Sequence, residues 1–100
     1  LLVKSLSRLA PAAIRAKLKD DKAEVRAAAA RVAGAKGLRL GGELIDLLND
    51  DEASVRDAAH EALVKLARGT DHGPGSQAAP EERAEAIRKW RAWWARQGGR

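Results

Sequence analysis

Leu18-Lys-Asp-Asp-Lys-Ala-Glu-Val-Arg-Ala-Ala-Ala29 and Leu48-Asn-Asp-Asp-Glu-Ala-Ser-Val-Arg-Asp-Ala-Ala59 are near copies at a constant offset of 30 residues. Self-similarity at such a spacing marks stacked supersecondary units, none of which can bury its apolar face alone. The residues around each copy keep helical period. Val25, Ala28, Ala29, Val32 and Ala33 share one stripe of a helix over about Ala23–Ala35, which Gly34 and Gly37 weaken and end. Val55, Ala58, Ala59, Ala62, Leu63 and Leu66 make the matching stripe of a helix running to Arg68, capped by Ser54 or a neighbour. A shorter helix precedes each. The first opens at Pro11 and turns Ile14 and Leu18 inward; the second opens at Gly41-Gly42 with Leu44, Ile45, Leu47 and Leu48 apolar. Asp20-Asp21 and Asp50-Asp51 make the turn inside each hairpin.

The same offset, applied backwards from Ala62, Leu63 and Leu66, lands on Leu2, Val3 and Leu6. Residues 1–9 are therefore expected to be the second helix of a preceding repeat, and the chain the C-terminal part of a longer protein. Residues 10–37 and 38–68 are the two complete hairpins. Residues 69–79, rich in Gly, Pro and Ser, form a loop. Pro80-Glu81-Glu82 starts a last helix over 80–97, with acids at the positive end of its dipole. Its stripe is Ile87, Trp90 and Trp94, with Trp93 alongside and partly exposed, and the chain frays at Gly98-Gly99. No segment carries a strand pattern. The expected fold is all-α, a short right-handed α-solenoid of helical hairpins with a C-terminal capping helix.

Composition sets limits. In 100 residues, 45% are hydrophobic, yet many are alanine, and Phe, Tyr, Met and Cys are absent. Such a core must be thin, with small side chains letting helix backbones approach. Disulfides and thiolate metal sites are excluded, and no stretch is long and apolar enough to span a bilayer.

The unit Leu-x-Asp-x-x-x-x-Val-Arg-x-Ala-Ala, at Leu18, Asp20, Val25, Arg26, Ala28, Ala29 and again at Leu48, Asp50, Val55, Arg56, Ala58, Ala59, resembles the bacterial HEAT-like repeat, including the short form of phycocyanobilin lyases. The tail, with Gly69-Thr-Asp-His-Gly-Pro74, Pro80-Glu-Glu-Arg83 and the Trp90, Trp93, Trp94 cluster, resembles the closing segment of HEAT-repeat proteins of bacteria, notably planctomycetes. In that segment an aromatic residue often stands where this chain has His72. The resemblance implies a polar ladder in which the arginine of one repeat reaches the aspartate of the next. It involves Asp20, Arg26, Asp50 and Arg56, with Arg26 to Asp50 the expected pair. Partial burial would make that contact geometrically specifying more than strongly stabilising.

Chemistry has little to work with. The imidazoles are His60, expected on an exposed polar face, and His72, beside Asp71 in a loop; nucleophile, base and orienting group cannot all be named. No catalytic residue, cofactor or metal is expected. Ile45 and Leu47 replace Arg15 and Lys17 of the earlier repeat, so the last hairpin has an apolar flank, which Ile87, Trp90 and Trp94 are expected to cap. The function expected is non-catalytic protein–protein interaction by a scaffold. Its surface lies opposite the buried stripes: Ala27, Ala30, Arg31 and Gly34, then Asp57, His60, Glu61, Val64 and Arg68. One alternative is nucleic-acid binding. The net charge is +5, and Arg83, Arg88, Lys89, Arg91 and Arg96 surround the tryptophans, although Glu81, Glu82 and Glu85 share their helix. Another is an accessory module of an enzyme whose catalytic part lies elsewhere, a reading by fold analogy.

Overall fold

The computed structural model describes residues 2–99; Leu1, the first residue of the expected partial helix, lies outside them. Among the described residues the chain runs α1 (Leu2–Leu6), α2 (Pro11–Lys17), α3 (Ala23–Lys36), α4 (Gly41–Asp46), a 3-10 turn (Leu47–Asn49), α5 (Ala53–Leu66) and α6 (Pro80–Arg96). The fold is all-α. Helices α1, α3 and α5 pack side by side in that order, with α2 against α3 and α4 against α5; α6 lies against α4 and the turn after it.

Local chemistry explains the boundaries. Pro11 and Pro80 stand in the first turns of α2 and α6, where a missing N–H costs nothing. The two aspartate turns repeat atom for atom: Asp20 Oδ1 accepts the Lys22 N–H at 2.9 Å, and Asp50 Oδ2 accepts the Glu52 N–H at 3.0 Å. Ser54 is not a cap. Helix α5 begins one residue earlier, with Glu52 at the N-cap position and no side-chain cap bond. Asp50 instead organises the entry from two residues upstream. At the other end of α3, Gly37 adopts φ 64°, and the Leu38 N–H reaches back to the Ala33 carbonyl at 3.0 Å.

Gly34 does not end α3. It lies inside the helix, where α5 comes so near that a Cβ would fall 2.6 Å from Ala62 Cα. Helix α3 is consequently buried on two sides. Ala27, Ala30 and Gly34, expected to face a partner, are buried together with Ala28, Ala29, Val32 and Ala33. A single apolar stripe predicts one buried face, but the middle helix of a stack has a neighbour on each side.

The core comprises Ile14, Leu18, Leu44, Ile45, Leu48, Val55 and Leu63, all at most 1% exposed, with Trp90 at 0%. Each such aliphatic side chain contributes roughly 1.5–3 kcal/mol on burial, so these few carry more than the many alanines. Ile45 and Leu47 are buried, whereas Arg15 at the matching position of the first hairpin is exposed and pairs with Glu43 at 3.0 Å.

Candidate functional site

The repeated spacing of the two hairpins brings Arg26 onto Asp50. Arg26 Nε donates to Asp50 Oδ1 at 2.8 Å and Nη2 to Oδ2 at 3.0 Å, a two-pronged contact between neighbouring hairpins. Its Nη1 donates to the Asp20 carbonyl at 2.7 Å, closing its own turn as well. Arg56 repeats that last bond, to the Asp50 carbonyl at 2.7 Å, but has no carboxylate partner among the described residues. Burial pushes the Asp50 carboxyl up, but the Arg26 guanidinium and the Glu52 N–H together hold it below the usual carboxylate range. The hydrogen bond that Arg26 donates to Asp50 likewise raises its guanidinium above the ordinary value.

The cap differs in detail from the expected stripe. Trp90 is fully buried and Trp93 is 9% exposed, while Ile87 and Trp94 are only half-buried. The buried line of α6 is thus Ala86, Trp90 and Trp93, an i, i+4, i+7 series. Trp93 is not a partly exposed bystander; Trp94 takes that place. The reason is that α6 rotates to fit two surfaces at once. Its one face meets α4, and Trp90 also reaches the 69–79 loop, donating from Nε1 to the Gly73 carbonyl at 2.5 Å. His72 packs edge-on to Trp90, their ring centroids 4.8 Å apart. Trp94 lies against Gly41 and Gly99 so closely that a Cβ on either would fall under 3 Å from the indole. Gly98-Gly99 is therefore no frayed end: Gly98 turns at φ 78° and the Gly99 N–H bonds the Trp94 carbonyl at 2.9 Å.

The outer surface of α3 and α5 carries Arg31, Glu61, Val64 and Arg68. Arg31 and Glu61, one repeat offset apart, form an exposed ion pair at 3.7 Å. Val64 is half-buried and Arg68 is exposed. His60, expected free on the surface, is half-buried and tied to the loop: its Nε2 lies 2.6 Å from Asp71 Oδ1, which also accepts the Gly73 N–H at 2.7 Å. Those two bonds, led by the one to His60, hold the Asp71 carboxyl below its usual range. Asp57 remains exposed but borders the loop beside Pro74, Gly75 and Ser76. The loop thus narrows the expected face at its Asp57 end.

Residues singled out for nucleic acid are dispersed. Arg88 pairs with Glu85 at 2.8 Å and Arg91 with Asp46 at 3.1 Å, while Trp90 and Trp93 turn their rings inward. A different basic group emerges where α3, α5 and α6 end. Arg39, Lys65 and Arg68 border a groove of about 610 Å³ floored by Leu38, Leu66 and Trp93. Its signal was present as Lys36…Arg39 and Lys65…Arg68, two basic pairs closing successive hairpins. Helix-end cations are so often solvated that only the arrival of α6 makes them a group.

The HEAT repeat family model matches residues 42–70, which are α4, the 3-10 turn and α5 with its exit. No curated protein and no solved structure matches the chain significantly. The match supports a HEAT-like repeat protein with an all-α fold of that kind. HEAT repeats commonly mediate protein–protein interaction and are in general non-catalytic scaffolds. No described helix is long and apolar enough to cross a membrane.

Proposed function

We propose that this chain is a non-catalytic scaffold segment that binds a protein partner along the outer surface of α3 and α5. The observation that carries the reading is the pair of second helices held at one repeat offset. Their backbones are locked by the Gly34–Ala62 approach and by the Arg26–Asp50 bridge. A surface fixed in this way loses little conformational freedom when a partner docks. Arg31, Glu61, Val64 and Arg68 are the contact residues of the proposal, with Asp57 and His60 at its loop-side margin. Val64 supplies the apolar spot among charges.

In the same reading Asp20, Arg26, Asp50 and Arg56 form the repeat ladder, and residues 10–37 and 38–68 are the repeat units. Residues 2–9 correspond to the second helix of a preceding unit, which the packing of α1 on α3 supports. Ile87, Trp90 and Trp94, joined by Trp93, act as the closing cap. The burial of Ile45 and Leu47 under α6 favours that role.

The test is retention of a partner from a cell lysate on the immobilised chain, compared with its Val64→Glu and Glu61→Lys variants. Glu61 is exposed and Val64 half-buried, and both variants should keep the helical circular dichroism of the parent chain. A partner retained by the parent chain and released by both variants supports the surface. Equal retention by all three chains, or none by any, removes it.

A further inference from the structure

The groove at the ends of α3, α5 and α6 carries two cations, Lys65 and Arg68, that the packing of the scaffold does not use. Each helix closes on itself with a backbone bond that reaches back five residues. Leu38 bonds Ala33, Gly69 bonds Val64 at 2.9 Å, and Gly99 bonds Trp94. Arg39 caps α6 at the Gln97 carbonyl, whereas Lys65 and Arg68 cap no helix end. Arg39, Lys65 and Arg68 have no carboxylate partner among the described residues, and no acidic side chain lines the groove. Three positive charges thus border a groove whose apolar lining includes half-buried Leu38 and Leu66 and the more deeply buried Trp93.

Arg68 adds a second, independent observation. It adopts φ 55°, left-handed backbone that disfavours any residue with a Cβ. The preceding hairpin places glycine at its own closing turn, Gly37 at φ 64°. Helix α5 is closed by the same type of turn with an arginine instead. A guanidinium kept at a position better suited to glycine points to a use for the side chain.

We infer that this groove binds an acidic segment of a protein partner, its carboxylates on Lys65 and Arg68 and an apolar side chain on the Leu38–Leu66 floor. This deepens the scaffold reading and rests on it. Charge complementarity selects an anionic occupant, and the floor selects one that also carries apolar side chains. Nucleic acid fits less well. Trp94, the indole nearest the solvent, carries the Arg39 guanidinium 5.0 Å from its ring centroid and packs against Gly41 and Gly99, leaving no platform for a base. Arg39 also donates to the Gln97 carbonyl at 2.9 Å, so it positions the groove wall, while Lys65 and Arg68 are the free contacts.

Fluorescence anisotropy with the full chain tests this. The probe is a short labelled peptide of glutamates interspersed with leucines. The comparators are the same peptide with glutamine for glutamate and a single-stranded oligodeoxynucleotide of similar length. The glutamate peptide should bind, weaken as salt is raised, and outcompete both comparators. Lys65→Glu with Arg68→Glu should weaken it by about tenfold or more. Arg68→Gly should weaken it by about threefold while raising the thermal midpoint, because the left-handed turn is relieved. Binding that is indifferent to these variants, equal binding of the glutamine peptide, or tighter binding of the oligonucleotide overturns the inference. If the peptide fails while lysate retention stays sensitive to Val64→Glu, the scaffold reading survives and only the groove falls.

Discussion

The two hairpins share a motif and a buried stripe, yet several matched positions meet different neighbours. Val55 is fully buried, while Val25 at the same register is half-buried. Arg26 grips both a carbonyl and a carboxylate; Arg56 has carbonyls only, those of Asp50 and Asp51. Position 34 holds glycine because α5 presses on it, whereas Val64, 30 residues on, meets no further hairpin among the described residues and keeps a side chain. Arg15 is exposed, and its counterpart Ile45 is buried beneath α6. A repeat unit is thus specified by its own sequence only as far as its turn and its helix period. What each position must be is set by the neighbour on either side.

That comparison can be broken most severely at the cap. Trp90→Ala removes the largest fully buried side chain and should cost about 3–5 kcal/mol, enough to unfold much of a domain this small. Chemical denaturation of the variant checks it. A near-neutral result would mean that the second hairpin does not depend on α6. Next is Gly34→Ala. In an isolated helix alanine would gain roughly 1 kcal/mol, yet here the new methyl meets Ala62 backbone, and overpacking of this kind costs about 1–3 kcal/mol. The expected sign is destabilising, opposite to propensity. The reverse sign would show that α3 and α5 can part without loss.

The ladder gives smaller effects. Asp50→Ala removes the bond that organises the entry to α5, together with the partner of Arg26, and should cost about 1–2 kcal/mol at neutral pH. Because the folded carboxyl titrates below its unfolded value, its contribution is present above the unfolded pKa and lost as pH falls through the folded one. Thermal midpoints should therefore decline on acidification below about pH 4, and Asp50→Ala should flatten part of that decline. Asp71 contributes in the same direction. The smallest effect sharpens the contrast between repeats: Arg26→Ala should lower the midpoint more than Arg56→Ala, since Arg26 alone spans two hairpins. Equal shifts would reduce the ladder to two local turn contacts.

The chain by itself determined the helical character, the repeat register, the two aspartate turns and the existence of an apolar flank needing a cover. These are local or periodic properties, legible because an identical arrangement of side chains was written twice. Only the tertiary structure decided which faces were buried. Periodicity assigns one apolar face to a helix, but α3 lies between neighbours, so Ala27, Ala30 and Gly34 are inside. It also decided which indoles close the cap, since α6 must meet α4 and the loop together. His60 with Asp71, and Arg39 with Lys65 and Arg68, belong to segments whose meeting depends on the path of the chain. No spacing rule along one helix encodes that path, because proximity between distant segments arises only once the core has chosen its packing.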